Sequence, residues 1–322
     1  MENLFLILFI VLASLVLFSL IVVPIILGIV IGKKIYRNQL VRKSKEDWTR
    51  TCSAPDDYEQ HLMWDSGIKW AEENKAYVKE VDIVSQGYHL YGEYYDFGYD
   101  RAVIIVPGRT ETLCYSYYYA PSYQRAKCNI LLIDKRAHGL SDGKYEDGGE
   151  HSYVDLLAWS KLLHDNFHMN DITYHGICIG SSLCAFALAS KDCPSYVKRF
   201  INDGMYETFY ITFKNHMKKE NRPIFPFCYT ALANALFTCK TNFFTNGPKY
   251  LMDKIHVPTL FIYTDKDEFS TPDQGERMYQ NCAAKEKELY FFHKGRHSHV
   301  RFHNEEEYDQ VVASWLDNHP GT

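Results

Sequence analysis

The chain has 322 residues, 46% of them hydrophobic, which is enough for one α/β domain of ordinary size once an apolar N-terminus and a polar neck are set aside. Its net charge of -5, with no basic stripe interleaved with aromatics, argues against nucleic acid as a partner. Nine cysteines without a Cys-x-x-Cys pair make neither a disulfide framework nor a zinc signature, and they suit a reducing compartment.

Residues 4–31 are apolar almost without interruption. Only Ser14, Ser19, Pro24 and Gly28 break the run, and none is charged. As a helix the run is roughly 40 Å long, more than the roughly 30 Å bilayer core, so a tilted span or one kinked at Pro24 is expected. A cleaved signal peptide would need a basic start, a shorter apolar run and a small-residue cleavage site. A core helix is the other alternative, and it rarely has so long a run. Lys33, Lys34, Arg37, Arg42, Lys43 and Lys45 follow the run. By the positive-inside rule they predict a single-pass cell-membrane protein whose body faces the cytoplasm. The expected division is an anchor over 1–32, an amphipathic helical neck over 33–75 with Trp48, Trp64 and Trp70, and an α/β domain over 76–320.

Beyond the neck, strand-like and helix-like stretches alternate. Residues 78–84 and 88–94 read as a hairpin around Gln86-Gly87. Residues 102–106 and 129–134 are short apolar runs of the buried parallel type. The spacing over 153–163 predicts a helix, 171–176 a strand and 181–190 a helix. Strands follow at 197–203, 258–263 and 288–292, and a last helix at 305–316. This alternation predicts a mostly parallel sheet with helices on both faces. Residues from about 206 to 252 interrupt it as an aromatic, helix-prone cap insertion.

In an open sheet of this kind, ligands bind beyond the carboxyl ends of the strands. The fifth of the predicted strands leads into Gly176-Ile177-Cys178-Ile179-Gly180. Small residues flanking a central nucleophile are what a strained strand-to-helix turn requires. The helix that follows aims its N-terminus at Cys178, which favours a thiolate. Two later strand ends supply the other groups: Asp265, Asp267 and Glu268 after one, His297 and His299 after the other. A thiol nucleophile needs a base to take its proton and a carboxylate to hold the imidazole. A carbonyl substrate also needs amide donors for its oxyanion: the N–H of Ile179, and one from Pro107-Gly108-Arg109-Thr110.

Over roughly 60–320 the chain resembles the bacterial α/β-hydrolases related to serine aminopeptidases and esterases, often anchored by an N-terminal span. The resemblance rests on Asp134-Lys135-Arg136-Ala137-His138-Gly139-Leu140-Ser141-Asp142-Gly143, on Asp155, Trp159 and Asp203, and on Pro258-Thr259-Leu260-Phe261-Ile262-Tyr263. It implies the α/β-hydrolase fold, Asp267 as the catalytic acid, His297 as the catalytic histidine and the Arg109 N–H as the second oxyanion donor. The chain departs from the family at three places. Cys178 stands for serine, Pro107-Gly108 for His-Gly, and Ile179 for methionine. A cysteine in this position resembles the dienelactone hydrolases, which keep Gly-x-Cys-x-Gly on the same fold.

The implied function is cleavage or transfer of an acyl group from a small-molecule ester, thioester or lactone by a Cys-His-Asp triad, with no cofactor. The alternative is a catalytically inactive binding or scaffold protein of the same fold at the membrane. A serine hydrolase using Ser181 or Ser182 would lack a nucleophile at the apex of the turn. His293, His297, His299 and His303 straddle a strand end and a loop, a spacing that does not converge on a metal. Tyr115, Tyr117, Tyr118 and Tyr119, with Cys184 and Cys193, read as packing residues.

Overall fold

A computed structural model describes residues 2–52 and 56–321; residues 53–55 of the expected neck lie outside the described residues. Helix α1, Glu2–Leu40, contains Pro24 and is long and apolar enough to cross a membrane. Its large apolar side chains from Leu4 to Val30, apart from the part-covered Val22, are at least half exposed, so no protein core covers them.

The helix does not stop where the apolar run stops, and the neck is not one helix. The chain leaves helical geometry at Leu40 and turns back onto the body. Val41 bridges Tyr145, and Arg42 donates to the carbonyls of Gly139 and Ser141 at 2.7 and 3.0 Å. Trp48, in left-handed backbone, stacks on His138 with ring centroids 4.7 Å apart. Helix α2, Tyr58–Glu73, starts at Asp57, whose carboxylate accepts from the Gln60 N–H at 3.2 Å. The charged pattern over 33–75 therefore covers two helix segments separated by a strap.

The hairpin strands β1, Val78–Ser85, and β2, Tyr88–Tyr95, pair antiparallel. Strand β3, Ala102–Val106, leads through two short helices, α3 (Leu113–Ser116) and α4 (Ala120–Arg125), to β4, Asn129–Ile133. Helix α5, Tyr153–Phe167, β5, Ile172–Ile177, α6, Ile179–Ala189, and β6, Val197–Asp203, follow. The cap contributes α7, Phe209–Lys219, and α8, Phe227–Cys239. Strand β7, Thr259–Thr264, α9, Pro272–Asn281, β8, Lys287–Phe292, α10, Val300–His303, and α11, Glu305–Asn318, complete the chain.

The eight strands form one sheet in the order β1-β2-β4-β3-β5-β6-β7-β8. β2 pairs antiparallel with β4, and every later pairing is parallel. β3, β4, β5 and β7 are buried along their whole length, as strands covered on both faces must be. One apolar cluster fills the face under α5 and α6, and a second fills the face under α2, α4 and α11. A third joins the cap to the end of α1 and contains Tyr36, Leu40, Ile179, Phe209, Phe213 and Leu232. The third cluster lies at the carboxyl ends of the strands, where the sequence places its candidate chemistry.

Candidate active site

Cys178 is the single residue between β5 and α6, and it has φ 54° and ψ -116°. A non-glycine residue in that region costs on the order of 1–3 kcal/mol and persists only where its surroundings hold it. Here the Cys178 N–H donates to the Asp203 carbonyl at 2.8 Å, tying the turn to the end of β6. The two flanking glycines are required for space. A Cβ on Gly176 would run into the Ser181 backbone, and one on Gly180 into the Val106 carbonyl. The turn presents the thiol at the N-terminus of α6, the end of a helix that favours negative charge.

His297 comes from the loop after β8. Its Nδ1 donates to Asp267 Oδ2 at 2.6 Å. Asp267, in the loop after β7, is almost fully buried. Its other oxygen accepts from the N–H groups of Phe269 and Ser270, each at 2.8 Å, so the carboxylate cannot swing away. With Nδ1 engaged, His297 is left with Nε2 free to serve Cys178, which lines the same cavity. Burial pulls the His297 imidazole down, but the charge of Asp267, helped by Cys178, outweighs it, and it stands well above the usual histidine value.

The rival residues go elsewhere. Asp265 pairs with His293 at the surface at 3.0 Å. His299 Nδ1 lies 3.0 Å from the His297 carbonyl, and its Nε2 faces Arg296. His303 reaches Glu59 at 2.9 Å. Among the described residues no group of histidine, cysteine and carboxylate side chains is arranged to hold a metal. Ser181 and Ser182 are buried, and each hydroxyl donates to a backbone carbonyl, of Gly176 and Gly148. Neither is presented to a substrate.

Cys178 and His297 line one cavity of about 180 Å³, with Gly108, Arg109 and Ile179 on its rim. The N–H groups of Ile179 and Arg109 find no acceptor among the described residues. The Arg109 side chain turns away and donates to Gln39 Oε1 at 2.8 Å, which holds the loop against the end of α1. Phe209 and Phe213 of α7, with Phe269, make the other wall apolar. Glu111 also lines the cavity, and sequence reasoning passes over it. Its carboxylate accepts from the Gly108 N–H at 2.8 Å and so shapes the loop. Burial pushes the Glu111 carboxyl above its ordinary value, against the pull of that N–H. The available signal was its position three residues after Gly108, the spacing at which a side chain can close a turn.

Beneath the elbow lies a second buried carboxyl. Asp203 Oδ2 accepts from the Tyr308 hydroxyl at 2.7 Å, and that hydroxyl lies 3.3 Å from His175 Nε2. Burial raises Asp203 to about 7, so it holds its proton close to neutrality. Burial likewise drives His138 down to about 3, and it packs under Trp48 as a neutral ring.

The sheet order, the single-residue turn between β5 and α6, and the cap between β6 and β7 define an α/β-hydrolase fold. Solved structures share it. The esterase Pf2001 of Pyrococcus furiosus matches with a TM-score of 0.66 at 21% identity, over 77% of this chain and 93% of that one. The α/β hydrolase GrgF of a Penicillium species matches with a TM-score of 0.60 at 16% identity, over 75% of this chain and 98% of that one. In sequence the chain is 27% identical over 225 residues to the uncharacterized protein YqkD of Bacillus subtilis, covering 68% of this chain and 72% of that one. No family model matches.

Proposed function

We propose that the protein is a membrane-anchored hydrolase or acyltransferase that uses Cys178 as nucleophile, His297 as base and Asp267 to orient the imidazole. The observation that carries this reading is His297, held by the Asp267 carboxylate, lining the same cavity as Cys178 at a strained backbone turn. The esterase and hydrolase descriptions of proteins with the same fold support it. Its substrate is an ester, thioester or lactone. The anchor is α1, and the basic residues after it favour a body on the cytoplasmic side.

The reaction follows from the groups present. His297 Nε2 takes the Cys178 proton, and the thiolate attacks the acyl carbon. The tetrahedral oxyanion accepts from the Ile179 and Arg109 N–H groups. As it collapses, the bond to the leaving group breaks and the leaving group departs with the proton from His297. Water, or an acceptor alcohol or amine, then attacks the Cys178 thioester. His297 removes its proton and returns it to the thiol. Asp267 keeps Nδ1 protonated throughout.

Two backbone amides without an acceptor among the described residues, on residues that line the cavity of the thiol, favour a catalytic site over an inactive scaffold. The two readings separate on a thiol-directed probe applied to the folded protein. The proposal expects labelling of Cys178 that falls sharply in His297→Ala. Equal labelling with and without His297 would leave Cys178 an ordinary surface thiol.

A further inference from the structure

Cap helix α8 runs beside α1 in the same direction. Gly28 meets Pro226, Gly32 meets Thr230 and Ala231, and the Tyr36 hydroxyl reaches Cys239. The Thr230 hydroxyl donates to the Gly28 carbonyl at 2.7 Å. A Cβ on Gly32 would collide with Thr230, so these glycines bring the two helices to backbone contact. That is the packing helices use in lipid, where small residues four apart let them approach.

The pairing sets a depth. Because Pro226 sits against Gly28, the start of α8 lies alongside the apolar run 4–31 and not beyond it. At that end Phe225 is 78% exposed, and further along the helix Phe237 is also 78% exposed. Exposed Lys218 and Lys219 end α7, and exposed Arg222 lies in the turn before Phe225; Lys219 pairs with Glu268 and Arg222 with Glu220. Exposed aromatics beside lysine and arginine, at the end of an apolar helix, are the composition of a headgroup belt.

The same elements reach the site. Ile224 and Phe227 pack into one apolar cluster with Phe213, Ile179 and Cys178. Arg109 is tied to Gln39, which is about 12 Å along the helix from Ile31, the end of the apolar run. The cleft therefore stands close above a headgroup zone roughly 6 Å deep.

We propose that the turn before α8 and the first turn of α8 sit in the bilayer that α1 crosses, and that the acyl group presented to Cys178 is a long chain taken from that bilayer. This rests on the anchored, acyl-transferring reading above. The apolar cluster that joins the start of α8 to Cys178 would let a long chain move from lipid to thiol with little exposure to water, which favours a membrane-held acyl ester or thioester over a water-soluble one.

The test uses the full chain in vesicles of phosphatidylcholine and phosphatidylglycerol, with or without brominated acyl chains. Tryptophan is introduced one site at a time, as Phe225→Trp, Ile26→Trp in the span, or Val84→Trp on the exposed hairpin, and each is read against the parent with its five tryptophans. The expected result is quenching by brominated chains at Phe225→Trp and Ile26→Trp, and none at Val84→Trp. Quenching at Ile26→Trp alone would overturn the cap's contact with lipid and leave the anchor standing, including the case where a second copy covers Phe225. No quenching at Ile26→Trp would overturn the anchor itself. The substrate is tested with Phe225→Glu. Turnover of a long-chain p-nitrophenyl ester held in vesicles should fall about tenfold relative to soluble p-nitrophenyl acetate, the scale of keeping one aromatic side chain out of an apolar medium. An unchanged ratio would overturn the lipid source, while absence of turnover on both esters in the parent chain would instead count against the acyl chemistry.

Discussion

At the scale of single residues, His297 is governed by opposing influences. Burial alone would keep the ring neutral, and the Asp267 carboxylate favours the proton on it. A histidine raised in the folded state contributes stability that is complete below its unfolded value of 6.5. That stability is lost as pH rises through the folded value. Asp267→Asn removes the largest raising influence, so ring-proton or carbon NMR of His297 should show its titration moving to lower pH. Activity should fall by a factor of about 10⁴, as when the orienting carboxylate of a triad is neutralised. Asp203 has the same sign over a lower range of pH. Its folded value of about 7 lies above the unfolded 3.8, so the wild type loses stability as pH rises between those two values. Asp203→Asn should lose less across that window, measured as the pH dependence of the melting temperature of the two proteins. The elbow is legible in the sequence because a Gly-x-Cys-x-Gly turn is local. Glu111 is not, because its role depends on how the loop after β3 curls over Cys178.

At the scale of elements, the sheet is legible because buried parallel strands are short, continuous apolar runs. Every expected strand appears, within a residue or two of its expected ends. The failures fall where partners are distant. The neck reads as one amphipathic helix by its charges, yet the bonds that break it join Arg42 to Gly139 and Ser141, nearly a hundred positions away. Helix α9 carries too little apolar surface to stand out, burying Gln274, Gly275 and Met278. The contact of α1 with α8 is equally hidden, because Gly28 and Gly32 read as interruptions in an apolar run until Thr230 is seen against them. Gly32→Val should force the two helices apart at a cost of about 1–3 kcal/mol. Hydrogen exchange over 227–239 should rise in that variant and stay unchanged in β5.

At the scale of the whole molecule, α1, the strap, the cap and the thiol form one connected assembly. α1 ends in the cluster that contains Ile179, the strap carries the chain back over the loop after β4, and Arg109 ties the rim of the site to Gln39. The body is thus held against the end of α1, and its cleft is oriented by that helix. Arg42 donates to five backbone carbonyls of the strap and body, so Arg42→Ala should loosen the strap at a cost of about 2 kcal/mol. Faster tryptic cleavage between residues 33 and 52 would report it. The central claim is that Cys178 carries the acyl group in a reaction assisted by His297, and it is tested most directly by trapping that intermediate. The protein is mixed with an activated long-chain ester, quenched in acid, digested and examined by mass spectrometry. The account predicts an acyl thioester on the peptide containing Cys178, nearly absent in His297→Ala and wholly absent in Cys178→Ala. Acylation of a serine in place of Cys178, or equal acylation of Cys178 in the His297→Ala protein, would contradict it.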